Sequence, residues 1–257
     1  MQERGQAAVE AALTMPLMVF MLLGTMQLFM MMHGRILTQL AAFQVTRTAS
    51  LNHGNCARML HSGILQVLPA IEPFAKNNGQ PLDQNVATAF AKYSANTYNN
   101  RVVYTGAGNS TNINGTVMWI VRNITGRAAL SGPQADDDFD QGVDPMVMES
   151  KVIFWFPMKV PFANWVIARS VLAHYGLQAY GNQNPLLVNM KSTNWSSGPT
   201  PTTMASEIRN EMQLRLQAGE YVFPIMGSYT MRMMTPLKRA NYSLPGNKNC
   251  LPTPQTL

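Results

Sequence analysis

RGQAAVEAALTMPLMVFMLLGTMQLFMMM, running from Arg4 to Met32, decides how the rest of the chain is read. Its last 22 residues, Ala11 to Met32, carry no formal charge and are interrupted only by Thr14, Pro16, Gly24, Thr25 and Gln27. At about 1.5 Å per residue such a run makes roughly 33 Å of helix, enough to cross a bilayer core of about 30 Å. Pro16 lacks an amide donor and should kink or loosen the helix. Met15, Met18, Met21, Met26, Met30, Met31 and Met32 give a flexible apolar surface, suited to lipid or to non-identical neighbouring helices. Ala7, Ala8, Ala11 and Ala12 place small residues four apart, which permits close helix approach; alanine is also simply the strongest helix former.

A cleaved secretory signal has a positive start, an apolar run of about 7–15 residues and a small-residue site after it. Here Glu3 and Glu10 offset Arg4, the apolar run is longer, and no small-x-small site follows Met32. An uncleaved signal peptide or generic signal anchor is one reading of the segment. Glu10 points to another, because a carboxylate at mid-membrane costs about 2.5–3.5 kcal/mol on insertion scales and needs a partner.

RGQAAVEAAL followed by TMP resembles the amino-terminal signature of TadE-like pseudopilins, from the tight-adherence branch of the type IV pilus and secretion superfamily. The resemblance covers about Arg4 to Pro16 and is loose beyond. It implies that a prepilin peptidase cuts between Gly5 and Gln6, which makes Glu10 the fifth residue after the cut. The cut creates an α-amino cation on Gln6, and the Glu10 of a neighbouring subunit can neutralise it, so that neither charge is buried alone. The partners implied are other pilin and pseudopilin subunits, an inner-membrane assembly platform, the prepilin peptidase and the lipid bilayer. The implied location is the bacterial inner membrane with an extracytoplasmic head, incorporated into an extracellular or periplasm-spanning pilus. Counting Arg4 against Arg35, Arg47 and Arg58 would give the opposite orientation by the positive-inside rule. The resemblance, together with a Cys56–Cys250 bridge if one forms, favours the outward-facing head, and that orientation is adopted here.

The bulk numbers agree with an anchored, exported chain. Of 257 residues 46% are hydrophobic and only 12% charged. Setting aside the first fifty leaves enough for one domain with its own core. The net charge of +6 is carried by scattered Lys and Arg, with Lys238-Arg239 the only adjacent pair, so nucleic acid is not an expected partner. Cys56 and Cys250 allow a single intrachain bridge, and closing so long a loop would contribute about 5 kcal/mol in the chain-entropy model. Two free thiols are the alternative.

Downstream, Leu37, Leu40, Ala41, Gln44, Val45, Thr48 and Leu51 recur at helical spacing, which predicts one long helix from about Gln6 to Ser50, with a bend at Gly34. A second helix is expected from Cys56 to Leu68, stopped by Pro69 and Pro73, and a third from an Asp83 cap to about Tyr98, with Val86, Phe90 and Tyr93 on one face. Arg101–Tyr104, Thr116–Ile124, Val147–Val160 and Tyr221–Thr235 read as strands, the third of them central. The intervening TGAGNSTNING reads as a turn or exposed hairpin tip. Phe162–Tyr180 reads as an apolar helix, buried in the head, against a neighbour or at the membrane surface. Thr203 opens a helix with Met204, Ile208, Met212 and Leu216 on one stripe, a Glu211–Arg215 pair and Gly219 as stop. The fold class is therefore α+β: a long N-terminal transmembrane, pilin-like helix in residues 1–50, and a globular head in residues 51–257 built from an antiparallel sheet and packed helices.

No catalytic constellation is visible; G-x-S-x-G and H-E-x-x-H are both missing, and neither an enzyme nor a cofactor is expected. His53, Cys56 and His61 match no zinc pattern. Asp136, Asp138 and Asp140 alternate as calcium ligands do, but Gln141 and Val147 stand where an EF-hand needs glycine and glutamate; a solvated loop is the default. The function expected is a membrane-anchored structural subunit that assembles through its N-terminal helix. The alternative is an uncleaved envelope protein whose head binds a partner or ligand.

Overall fold

The structure, a computed structural model, describes residues 3–72, 81–96, 101–105, 109–113, 115–125, 146–179, 206–235, 241, 249–254 and 257. The elements run α1 (Glu3–Leu51), α2 (Cys56–Ile71), α3 (Leu82–Tyr93), β1 (Arg101–Thr105), β2 (Asn109–Ile113), β3 (Met118–Thr125), β4 (Val147–Pro157), α4 (Ala163–Ala179), α5 (Ser206–Gln217) and β5 (Val222–Arg232). Contacts divide the chain into two units, Met1–Met30 with Met158–Val222, and Met31–Pro157 with Phe223–Leu257.

The second unit holds a three-stranded antiparallel sheet in the order β3-β4-β5, with helices packed on it. Central β4 alternates at first, with Met148, Ser150 and Val152 turned inward, and is then buried on both faces from Val152 to Phe156. A strand covered on both sides needs such a continuous apolar run. It pairs with β3 from Met118↔Phe154 to Thr125↔Val147, and Trp119 meets Trp155 edge to face at 5.0 Å. The central position expected for this strand is the one it occupies.

The second half of α1 lies along β5. The expected apolar face is rotated from the one actually used: Leu40 and Leu51 are exposed, while Gly34, Thr38, Ala41, Ala42, Val45, Thr46, Ala49 and Ser50 are buried. Small side chains win here because the backbones approach closely. A Cβ on Gly227 would sit 2.9 Å from the Thr38 carbonyl oxygen, and one on Gly34 would sit 2.7 Å from the Phe156 ring. Gly34 therefore makes room for Phe156, within a helix that runs on without a break. The buried hydroxyls bond outward as well: Thr46 Oγ1 donates to Tyr229 O at 3.3 Å and Ser50 Oγ to Arg232 O at 2.7 Å.

α2 opens on an Asn55 cap that accepts the Arg58 amide, and it continues through Pro69 to Ile71, a turn beyond the expected stop. Proline in a last turn removes one amide donor but leaves the preceding turns intact. α3 begins after Pro81 with Asp83 in its first turn, and it stops at Tyr93, short of the expected end. There Asn96 turns back and its amide brackets Met118, donating to Met118 O at 2.8 Å and accepting Met118 N at 3.0 Å. The glycine-rich segment expected to be a turn or exposed hairpin tip belongs to a hairpin, and it also contains β2, paired antiparallel with β1 from Arg101↔Ile113 to Thr105↔Asn109.

In the first unit, Ile208 and Met212 of α5 are buried as expected, and Arg215 is buried beside Glu211 at 2.7 Å. Gly219, with φ 76, follows the helix and ends it.

Candidate functional site

The TadE-like signature residues all fall on the first turns of α1. Gly5, Gln6, Ala7, Ala8 and Ala11 are helical, and their side chains lie outside the described set. Glu10 is exposed, and so is every residue from Ala12 to Leu22. α1 runs through Pro16 without ending. Ala12–Leu51 is long and apolar enough to cross a membrane, and its most apolar stretch is almost wholly left uncovered by the chain itself. Solvent exposure of an apolar run this long is unfavourable in water, so the surface suits lipid or other helices. Within this run, Thr25 Oγ1 donates to Leu22 O at 2.9 Å. Bonding back to the helix lets a polar group enter an apolar medium satisfied.

Covering begins at Leu23 and Gly24, which are half-buried, and Gln27 is the first buried residue among those described, while Leu28, Phe29 and Met32 stay exposed. Gln27 Oε1 accepts the Val160 amide at 3.0 Å, whereas its buried Nε2 has no hydrogen-bond partner among the described residues. Sequence reasoning treated Gln27 only as an interruption. The signal was there: it is the one side-chain amide in the apolar run.

Cys56 and Cys250 form a disulfide with a Cα–Cα distance of 5.4 Å, spanning 194 residues. Cys56 is therefore no metal ligand, and His61 instead stacks edge to face on Phe90 at 5.6 Å. The bridge fixes a terminal strap on the outer edge of β3. Cys250 N donates to Ile120 O at 3.2 Å, Ile120 N to Thr253 Oγ1 at 2.8 Å, and Arg122 N to Asn249 Oδ1 at 3.2 Å. The buried Arg122 guanidinium adds bonds to Gly54 O at 2.8 Å and Asn241 O at 3.0 Å. An open sheet edge invites pairing with other chains, and the strap occupies this one. Asp136, Asp138 and Asp140 lie outside the described residues.

Two further features complete the second unit. Leu65, Leu82, Asp83, Val86, Ala87 and Phe90 line a shallow apolar groove between α2 and α3. Close by, Tyr93 Oη donates to Glu72 Oε2 at 2.9 Å, and Lys92 Nζ lies 3.3 Å from the same oxygen. Burial raises the Tyr93 pKa above its ordinary 10.0, while bonding to Tyr93 and then Glu72 raises that of Lys92 above 10.5.

The family model described as TadE-like protein matches residues 5–47. Residues 5–47 are a TadE-like segment. The match starts at the glycine of the signature and ends within the packed half of α1. TadE-like proteins are pilin-like, associated with Tad pili, and typically structural, not enzymatic. Neither a curated protein nor a solved structure matches the chain.

Proposed function

We propose that the protein is a TadE-like pseudopilin or minor pilin, a structural subunit of a tight-adherence pilus or secretion assembly. Residues 1–50 supply a short cytoplasmic leader and the membrane helix, and residues 51–257 supply the extracytoplasmic head. Prepilin peptidase removes Met1 to Gly5, and the new α-amino group on Gln6 is answered by Glu10 of a neighbouring subunit. Ala7, Ala8, Ala11 and Ala12 let the helices approach, with Pro16 supplying a flexible point. Other pilins and the inner-membrane assembly platform are the partners.

One observation carries this reading: the TadE-like match coincides with a helix whose first half the chain leaves uncovered, with the exposed Glu10 at its mouth. A lone carboxylate carried into lipid costs kcal/mol, whereas a paired one need not. The α2–α3 groove favours a second reading, an uncleaved envelope anchor whose head binds a partner or ligand. Intact-mass measurement of protein recovered from producing cells separates the two. Loss of Met1 to Gly5 supports the pseudopilin. A fully retained leader contradicts it.

A further inference from the structure

Where α1 emerges, a second element of the same unit is fixed beside it. The Val160 amide bonds Gln27, Met158 N bonds Tyr221 O at 2.9 Å, and Asn164 N bonds Val160 O at 3.0 Å, which ties the corner residues leading into α4 to α1 and to one another. Met158, Val160 and Ala163 turn inward. Pro161, Phe162, Trp165 and Arg169 turn outward.

That outer face is poorly explained by the chain alone. Phe162 has φ 63, a left-handed conformation unfavourable for a bulky side chain, yet the residue is 74% exposed and so gains little from burial. Trp165, three residues on, is 50% exposed, and the Arg169 guanidinium lies 6.0 Å from its ring. Trp165 and Arg169, four apart on α4, share one stripe, and Phe162 is exposed at the turn just before the helix. No acidic residue stands between Glu149 and Glu207, whereas Lys151, Lys159 and Arg169 all fall in that interval.

The level of this corner follows from helix length. A span needs about 20 residues, and counting that many forward from Ala11, where the uncharged run begins, reaches Met30. Gln27 then stands in the last turn of the span with its side chain turned to the Val160 amide, which puts the corner near the boundary between hydrocarbon and headgroups, the depth at which Trp and Tyr rings concentrate.

We propose that the β4–α4 corner is a membrane-docking site. Phe162 and Trp165 enter the lipid interface at the level where α1 leaves it, and Arg169 and Lys159 meet anionic phosphate headgroups. This rests on the reading of α1 as a membrane anchor. The head is thereby held to the bilayer at two points, the helix and the corner.

The test uses the full chain reconstituted into phosphatidylcholine–phosphatidylglycerol vesicles, with the phosphatidylcholine brominated either near the headgroup or near the chain ends. Subtracting the spectrum of Trp165→Phe isolates Trp165 from the other three tryptophans. Expected is about twofold quenching of Trp165 by the shallow bromine and less by the deep one, as for other interfacial rings. Arg169→Glu should weaken that quenching in anionic vesicles and leave it unchanged in pure phosphatidylcholine. An alkaline carbonate wash of the same vesicles reads the anchor separately. If the chain resists the wash while Trp165 emission ignores both bromines, the corner faces water and the proposal fails, with the anchor reading intact. If the wash strips the chain, the anchor reading fails and takes the proposal with it.

Discussion

The two halves of α1 are one continuous helix with opposite surfaces. From Ala12 to Leu22 the side chains are mostly large and apolar, and all are uncovered; from Gly34 to Ser50 the packed face is glycine, alanine, threonine and serine with Val45 among them. Greasy side chains thus mark the half the chain does not bury, and small polar ones the half it does. The reason is geometric. A helix lying directly on a sheet gains from close backbone approach and from hydroxyls that satisfy strand carbonyls, while a helix meant for lipid or sister helices needs an apolar surface all round.

The contrast can be attacked most strongly at the strap. Because its disulfide closes a span of 194 residues, Cys250→Ser should lower head stability by about 2–5 kcal/mol, read by denaturant unfolding. The membrane behaviour of the first half should not change. Unchanged unfolding would mean the strap's hydrogen bonds alone hold the tail.

Glycines give the sharpest matched pair. Gly34→Ala would push a methyl to 2.7 Å from Phe156 and should destabilise by about 1–3 kcal/mol. Gly24→Ala meets nothing within 4 Å and should be neutral, or favour the helix by up to about 1 kcal/mol. Equal effects at the two positions would erase the distinction between the halves. Ser50→Ala comes next: losing the donor to Arg232 O and the acceptor for Met234 N should cost about 1–2 kcal/mol in the same unfolding assay.

The smallest expected effect is in pH. Tyr93 and Lys92 both have raised pKa values in the folded state, so the folded form holds their protons more tightly. Their contribution is complete below the unfolded tyrosine value of 10.0 and falls as pH rises through the folded values. Melting temperature should therefore drop above about pH 10, and less steeply for Tyr93→Phe. Identical slopes would remove Tyr93 from the account.

Element types and the long helix were legible because their signals are local. The uncharged run gave α1, found at Glu3–Leu51, and the stretch VIFWF gave the core of central β4. The Glu211–Arg215 pair follows from helical spacing alone. What sequence could not supply were choices made by distant partners. Nothing near Thr38 announces that Gly227 will lie against it, and nothing near Asn96 announces that its amide will bracket Met118. β2, rich in Asn, Ser and Thr, shows no apolar alternation; its backbone pairing with β1 alone makes it a strand. At the candidate site, the signature and the disulfide were readable from residue identity, whereas the roles of Gln27 and the β4–α4 corner needed coordinates.

The most direct measurement compares incorporation of Glu10→Ala and the native chain into the purified assembly, alongside carbonate resistance and head melting of each. If Glu10 serves only to answer a cation on a sister subunit, the variant stays in the membrane and melts as the native chain does, yet drops out of the assembly. Incorporation at the native level would contradict the account.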